Sequence, residues 1–234
     1  MRRRRWIAFA VVGVLAVGGA VAAASVPGLA ATACPQCYGL RSLHNGLYAD
    51  RDDAAYRVLI DDADRRIAAF YGSRLSDPRV LICSTASCYR RLGGGGERGR
   101  ALRDWSLMLS PGGANVTIAT HELSHVEFHQ RLGSARSKVP QWFDEGLAVL
   151  VSDDGRYLQP GPAGDRCKLP YDEARTVVDE DWHAAAADGV DRPYLKAGCV
   201  VSRWVGAHGG PAAVVDLIAE LRAGQAWPAQ LLEG

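Results

Sequence analysis

The chain lacks an excess of either charge: 27 Lys and Arg stand against 26 Asp and Glu, a formal net charge of +1. Residues 1–33 carry four arginines, Arg2 to Arg5, and no acid, so residues 34–234 stand at −3. A near-neutral domain has no broad basic field to draw in nucleic acid, which argues against that class of partner. An internal repeat and a low-complexity tail are also missing, and the lack of a repeat excludes solenoids and arrays. With 48% hydrophobic residues the chain is not a disordered one. A phosphate cradle is lacking too. Gly94, Gly96 and Gly99 satisfy GxGxxG only because they lie in and beside a four-glycine run. No strand leads into that run and no Gly-Lys-Ser/Thr follows it. Cysteine is absent from residues 1–33, and all six cysteines follow.

Arg2–Arg5 are followed by an apolar run from Trp6 to about Ala24. A basic head and an apolar stretch are the parts of an export signal. Ala31-Thr32-Ala33 before Cys34 reads as a small-x-small cleavage site. The run is also close to the ~20 residues that span a bilayer, so an uncleaved N-terminal membrane anchor is the alternative, with the arginines on the cytoplasmic side. A lipid-modified Cys34 is a weaker third reading, because Ala31 stands where a larger aliphatic residue is usual. Each places residues 34–234, the expected domain, outside the cytoplasm. The even cysteine count agrees, since oxidising compartments favour disulfides. The expected pairs are Cys34–Cys37, Cys83–Cys88 and Cys167–Cys199. A redox reading of Cys34-Pro35-Gln36-Cys37 needs a thioredoxin-like βαβ pattern that is not present, and Cys83-x4-Cys88 is a poor second half for a structural zinc site.

Apolar periodicity predicts a helix over Asp50–Tyr71 and short buried strands at Arg79–Cys83 and Trp105–Ser110. A further helix runs from Asn115 to about Leu132, where Gly133 stops it. Gln141–Ser152 forms another after Pro140, and Arg192–His208 and Pro211–Gly224 close the chain. The fold class is α+β, with a helical majority and a small early sheet. Trp182, Trp204 and Trp227 read as packing residues. Arg90-Arg91 and Arg98-Gly99-Arg100 read as a solvated basic turn, with contact to acidic substrate or lipid headgroups as the functional alternative.

His121-Glu122-Leu123-Ser124-His125 carries the chemistry. Histidines at i and i+4 are about 400° apart along a helix, so they differ by only about 40° in direction. Both imidazoles can reach one metal ion, and Glu122 can face its water as general base. A third ligand must come from elsewhere. Trp142-Phe143-Asp144-Glu145-Gly146-Leu147-Ala148 offers Glu145, with nineteen residues between it and His125. That separation leaves room for one helix to end, a loop to cross and a second helix to face the first.

Together these two segments resemble the gluzincin zinc metallopeptidases, in particular the M1-like peptidase MA branch. There HExxH is followed some eighteen or nineteen residues later by a Trp-aromatic/Leu-x-Glu-Gly-Phe/Leu-Ala segment. The resemblance is close over His121–Val126 and Gln141–Ala148, loose over residues 105–225 and absent before about residue 79. It implies a zincin-like fold with Zn2+ held by His121, His125 and Glu145. It also implies Glu122 as base and acid, and a peptide or protein substrate. An oxyanion-stabilising tyrosine is implied downstream, with Tyr194 in the corresponding place and Tyr157 and Tyr171 competing. Trp105–Ser110 would be the edge strand that pairs with substrate. His129 lies where a metzincin pattern does not want its third ligand, so it is expected on the helix surface or behind the ligands. Val149 stands where thermolysin-like enzymes carry an Asp. The aminopeptidase Gly-x-Met-Glu-Asn segment is missing, so an endopeptidase is expected. A zinc-binding envelope protein without hydrolytic activity is the competing reading. His44, His183 and His208 have no partners at metal spacing.

Overall fold

Five short strands set the frame: β1 (Arg41–Ser42), β2 (Leu47–Ala49), β3 (Arg79–Ile82), β4 (Gly99–Leu102) and β5 (Ser106–Leu109). They come from a computed structural model that describes residues 27–161, 164–179, 181, 182, 184 and 192–228. The leader's arginines and apolar run, and His183, lie outside the described residues. The sheet order is β1-β2-β3-β5-β4. β2, β3 and β5 are parallel, and β1 and β4 run antiparallel at the two edges.

After Arg79 and Ser106, β3 and β5 are apolar and buried, because both faces of the sheet are covered there. Val80, Ile82, Leu107 and Leu109 turn to the main core. Leu81 and Met108 turn to a smaller one with Ala31, Leu40, Tyr89 and Leu92. The expected strand at residues 105–110 forms, but it is not the edge strand: β4 covers it and takes the edge. Gly-Arg-Ala-Leu has no apolar alternation and little β-propensity, and no Asn-Gly or Gly-Gly marks the turn that follows. Arg103 makes that turn at φ +55°.

Among the described residues eight helices surround the sheet: α1 (Pro27–Ala33), α2 (Ala54–Tyr71), α3 (Ala86–Arg91), α4 (Val116–Leu132), α5 (Gln141–Val151), α6 (Tyr171–Ala174), α7 (Arg192–Ala207) and α8 (Pro211–Arg222). α2 begins after Asp53, whose Oδ1 accepts from Ala55 N at 3.0 Å, rather than at Asp50. α4 is capped in the same way by Asn115 and ends at Gly133, φ +58°. The chain is α+β as expected. α1, α3 and α6 have too few residues for a periodic signal.

The three expected disulfides are formed: Cys34–Cys37, Cys83–Cys88 and Cys167–Cys199. α1 precedes the first of them and is built into the domain. Ala31 is fully buried, the Thr32 and Ser106 hydroxyls meet at 2.6 Å, and the Arg79 guanidinium donates to the Thr32 carbonyl. No described helix is long and apolar enough to cross a membrane.

Candidate metal centre

α4 carries a ladder of three histidines at four-residue steps, His121, His125 and His129. Successive rungs drift about 40° around the helix. α5 packs across this ladder and presents two adjacent acids, Asp144 and Glu145, whose directions differ by about 100°. The offset divides the work. Glu145 Oε2 lies 3.3 Å from His121 Nε2 and 3.5 Å from His125 Nε2. Asp144 reaches the other side of the ladder, where His125 Nδ1 donates to its Oδ1 at 2.8 Å and His129 Nε2 donates to its Oδ2 at 2.6 Å.

His121, His125 and Glu145 can hold a metal ion, since one donor atom from each lies within 4.8 Å of the others. Geometry tests the fit more sharply. Metal–ligand bonds of about 2.05 Å at tetrahedral angles put neighbouring donors about 3.3 Å apart. The three donor separations are 3.2, 3.3 and 3.5 Å. The His125 tautomer also fits. A carboxylate only accepts, so Nδ1 keeps its hydrogen for Asp144 and the Nε2 lone pair faces the other donors.

Two features bring α5 this close. Phe143 is packed by the rings of Trp142, Trp204 and Trp227 at 5.7, 5.6 and 4.9 Å, fixing the helix against the closing elements. Gly146 lets α5 meet α7: a Cβ there would lie 2.4 Å from the Ala197 carbonyl oxygen. On the other wall Gly99 of β4 leaves room for Glu122, since a Cβ at that position would lie 2.7 Å from Glu122 Cγ.

The charges are organised by burial. Burial raises the Glu122 pKa, and the neighbouring His121 and His125 offset this only in part. Burial also disfavours the charged forms of Asp144 and Glu145, but the histidines outweigh it. Asp144 falls far below the usual carboxylate range and Glu145 to about 2. For His125 burial is likewise overcome, by Asp144 and Glu145, and its pKa rises well above 6.5.

The site opens into a cleft of about 650 Å3, lined by β4, α4, α5 and Tyr194 of α7. Of the three tyrosines weighed for the oxyanion role, Tyr194 alone lines it. Its ring lies 6.4 Å from that of His121 and stacks on Tyr157 at 5.5 Å. Tyr171 instead holds Arg203 over its ring. His129 is not among the three converging donors. It stands behind them on Asp144. His44 and His208 are far from metal geometry: His44 sits in a turn at φ +81° and His208 stacks on Trp204. Sequence reasoning left Asp144 without a role. The third histidine at helical spacing, together with an acid beside the candidate ligand Glu145, was the signal that could have found it. No family model matches the chain, and no curated protein and no solved structure is detectably similar to it.

Proposed function

We propose that the chain is an extracytoplasmic zinc-dependent peptidase, and by its resemblance a gluzincin. The observation that carries this reading is the convergence of two imidazoles and one carboxylate at tetrahedral spacing, with Glu122 in the same cleft. A divalent cation in that position supplies Lewis acidity and a water of lowered pKa. Two nitrogens and one oxygen with an open fourth side are the donor set of a catalytic zinc site rather than of a closed structural one.

The chain's own groups have distinct tasks in this reaction. Asp144 holds His125 in the tautomer that leaves Nε2 free. Glu122, with a pKa raised by burial, accepts the proton of the attacking water and returns it to the leaving amine. The Tyr194 hydroxyl donates to the oxygen that gains charge at the scissile carbonyl. β4, at the rim, offers its outer backbone groups to an extended peptide. Three disulfides fit an oxidising compartment.

Zinc content and cleavage of a random peptide library, measured on wild type and on Glu122→Gln, test the reading. Wild type should carry about one zinc per chain and cleave. The variant should keep the zinc and lose at least about 10²-fold in rate. Zinc retained with no wild-type cleavage would point to the metal-binding envelope protein. Less than half a zinc per chain would remove both readings.

A further inference from the structure

The cleft's own acids are almost all engaged. Asp144 is shared by His125 and His129. Glu145 faces His121 and His125. Glu97 accepts from Gly95 N and Tyr89 and pairs with Arg100 at 2.9 Å. Only Glu122 lacks an ion-pair partner, and the proposed chemistry needs it. The cationic side is different. Of the three arginines lining the cleft, Arg100 is held by Glu97 and the Gly93 carbonyl. Arg103 and Arg136 are exposed, and among the described residues neither guanidinium has a carboxylate partner.

The Arg103 guanidinium is held in place by its neighbour. Arg103 occupies the β4–β5 turn at φ +55°, a backbone region that favours glycine, and its guanidinium lies over the ring of the half-exposed Trp105, 5.7 Å from the centroid. Stacking on an aromatic face fixes the plane of a guanidinium and leaves its edge N–H groups for a carboxylate. Arg136 lies on the Gly133–Lys138 turn of 3-10 helix that joins α4 to α5, on a different wall of the cleft. Both arginines line the cleft of a domain that is net negative over residues 34–234.

Resting on the peptidase reading, we propose that this cleft selects peptides bearing a carboxylate, with Arg103 and Arg136 as the specificity-determining groups. The carboxylate is supplied either by a Glu or Asp side chain or by the peptide's free C-terminus. The same fork geometry receives both.

The test is binding of fluorescent decapeptide pools to the zinc-loaded full chain carrying Glu122→Gln, followed by anisotropy. One pool contains Glu and Asp and is C-terminally amidated. The second has Gln and Asn instead and is amidated. The third equals the second with a free C-terminus. The first or the third should bind at least tenfold more tightly than the second, and which of them does so identifies the source of the carboxylate. Adding Arg103→Gln and Arg136→Gln together should bring the ratio to within about twofold. Each single substitution should lower it part-way, which covers failure of the double variant to fold. Equal binding of all three pools would overturn the proposal, and so would a preference that survives removal of both arginines. The outcome is independent of turnover: a wild type that cleaves none of the pools counts against the peptidase reading, while the binding ratios still judge the arginines.

Discussion

Asp144 is the residue whose role is least visible in a linear reading and most constrained in three dimensions. It touches His125, one of the three converging donors of the candidate metal centre, and His129, which is outside that group. Carboxylates in that position fix ring orientation and tautomer, and their loss typically costs 10–100-fold in metal affinity. Asp144→Asn should therefore weaken zinc binding by about that factor while leaving the three ligands in place, as read by competition with a chromogenic chelator. Unchanged affinity would mean that His125 is oriented by packing alone. The neighbouring Glu145 was legible in sequence only through its motif and its separation from His125. Asp144 lies in the same motif, but its partners depend on how α5 rotates against α4.

At the scale of elements, two contacts hold the helices that form the site. The first is the crossing of α5 and α7 at Gly146. Alanine is favoured over glycine inside a helix by about 1 kcal/mol. Here, however, the added methyl meets a backbone carbonyl at 2.4 Å, and a carbonyl in a packed helix cannot swing aside. Gly146→Ala should destabilise by about 1–3 kcal/mol and also lower zinc affinity, because α5 shifts with Glu145 on it. Denaturant unfolding with and without zinc reads both effects. The second contact is Glu127 on α4. Fully buried, it accepts from Leu75 N and Ser76 N at 2.9 and 2.8 Å and pairs with Arg131 at 2.7 Å. Burial disfavours its charge, but these bonds prevail and lower its pKa below 4.5. A carboxylate with a depressed folded-state pKa stabilises the fold at pH values above its unfolded one, and that contribution is lost as pH falls through the folded value. Stability should hold near neutrality and drop below about pH 4.5. Glu127→Gln should flatten that drop and cost about 3 kcal/mol at pH 7 by leaving the mostly buried Arg131 without its counter-charge. A pH–stability curve of the variant parallel to wild type would reject this account.

For the whole molecule, the sheet divides two cores of unequal size. The large one supports the candidate metal centre. The small one supports β4 from behind, through α1: a Cβ at Gly28 would lie 2.9 Å from Leu102 Cδ1. α1 ends at Ala33, directly before the cysteine where the leader pattern suggests a boundary. A chain starting at residue 34 should thus be less stable than one starting at residue 27, by about 2 kcal/mol, or about 4–8 °C in melting temperature. Equal melting temperatures would show that the small core closes without α1. The resemblance to zincins was silent here, because it covers nothing before about residue 79.

The ends of α4, the i, i+4 histidines and the pairing of cysteines close in sequence were all determined by the sequence alone. Each depends on a spacing of a few residues, and helical geometry or a short loop converts such a spacing directly into position. The long Cys167–Cys199 pair also forms as expected, but no short spacing dictates it. Tertiary structure alone decided that residues 106–109 are covered and Gly99–Leu102 form the edge, that Asp144 joins two histidines, and that Arg103 and Arg136 face one cleft. Those outcomes turn on which faces of distant elements meet. Long-range packing settles that, and a short polar segment with no periodicity carries no local trace of it.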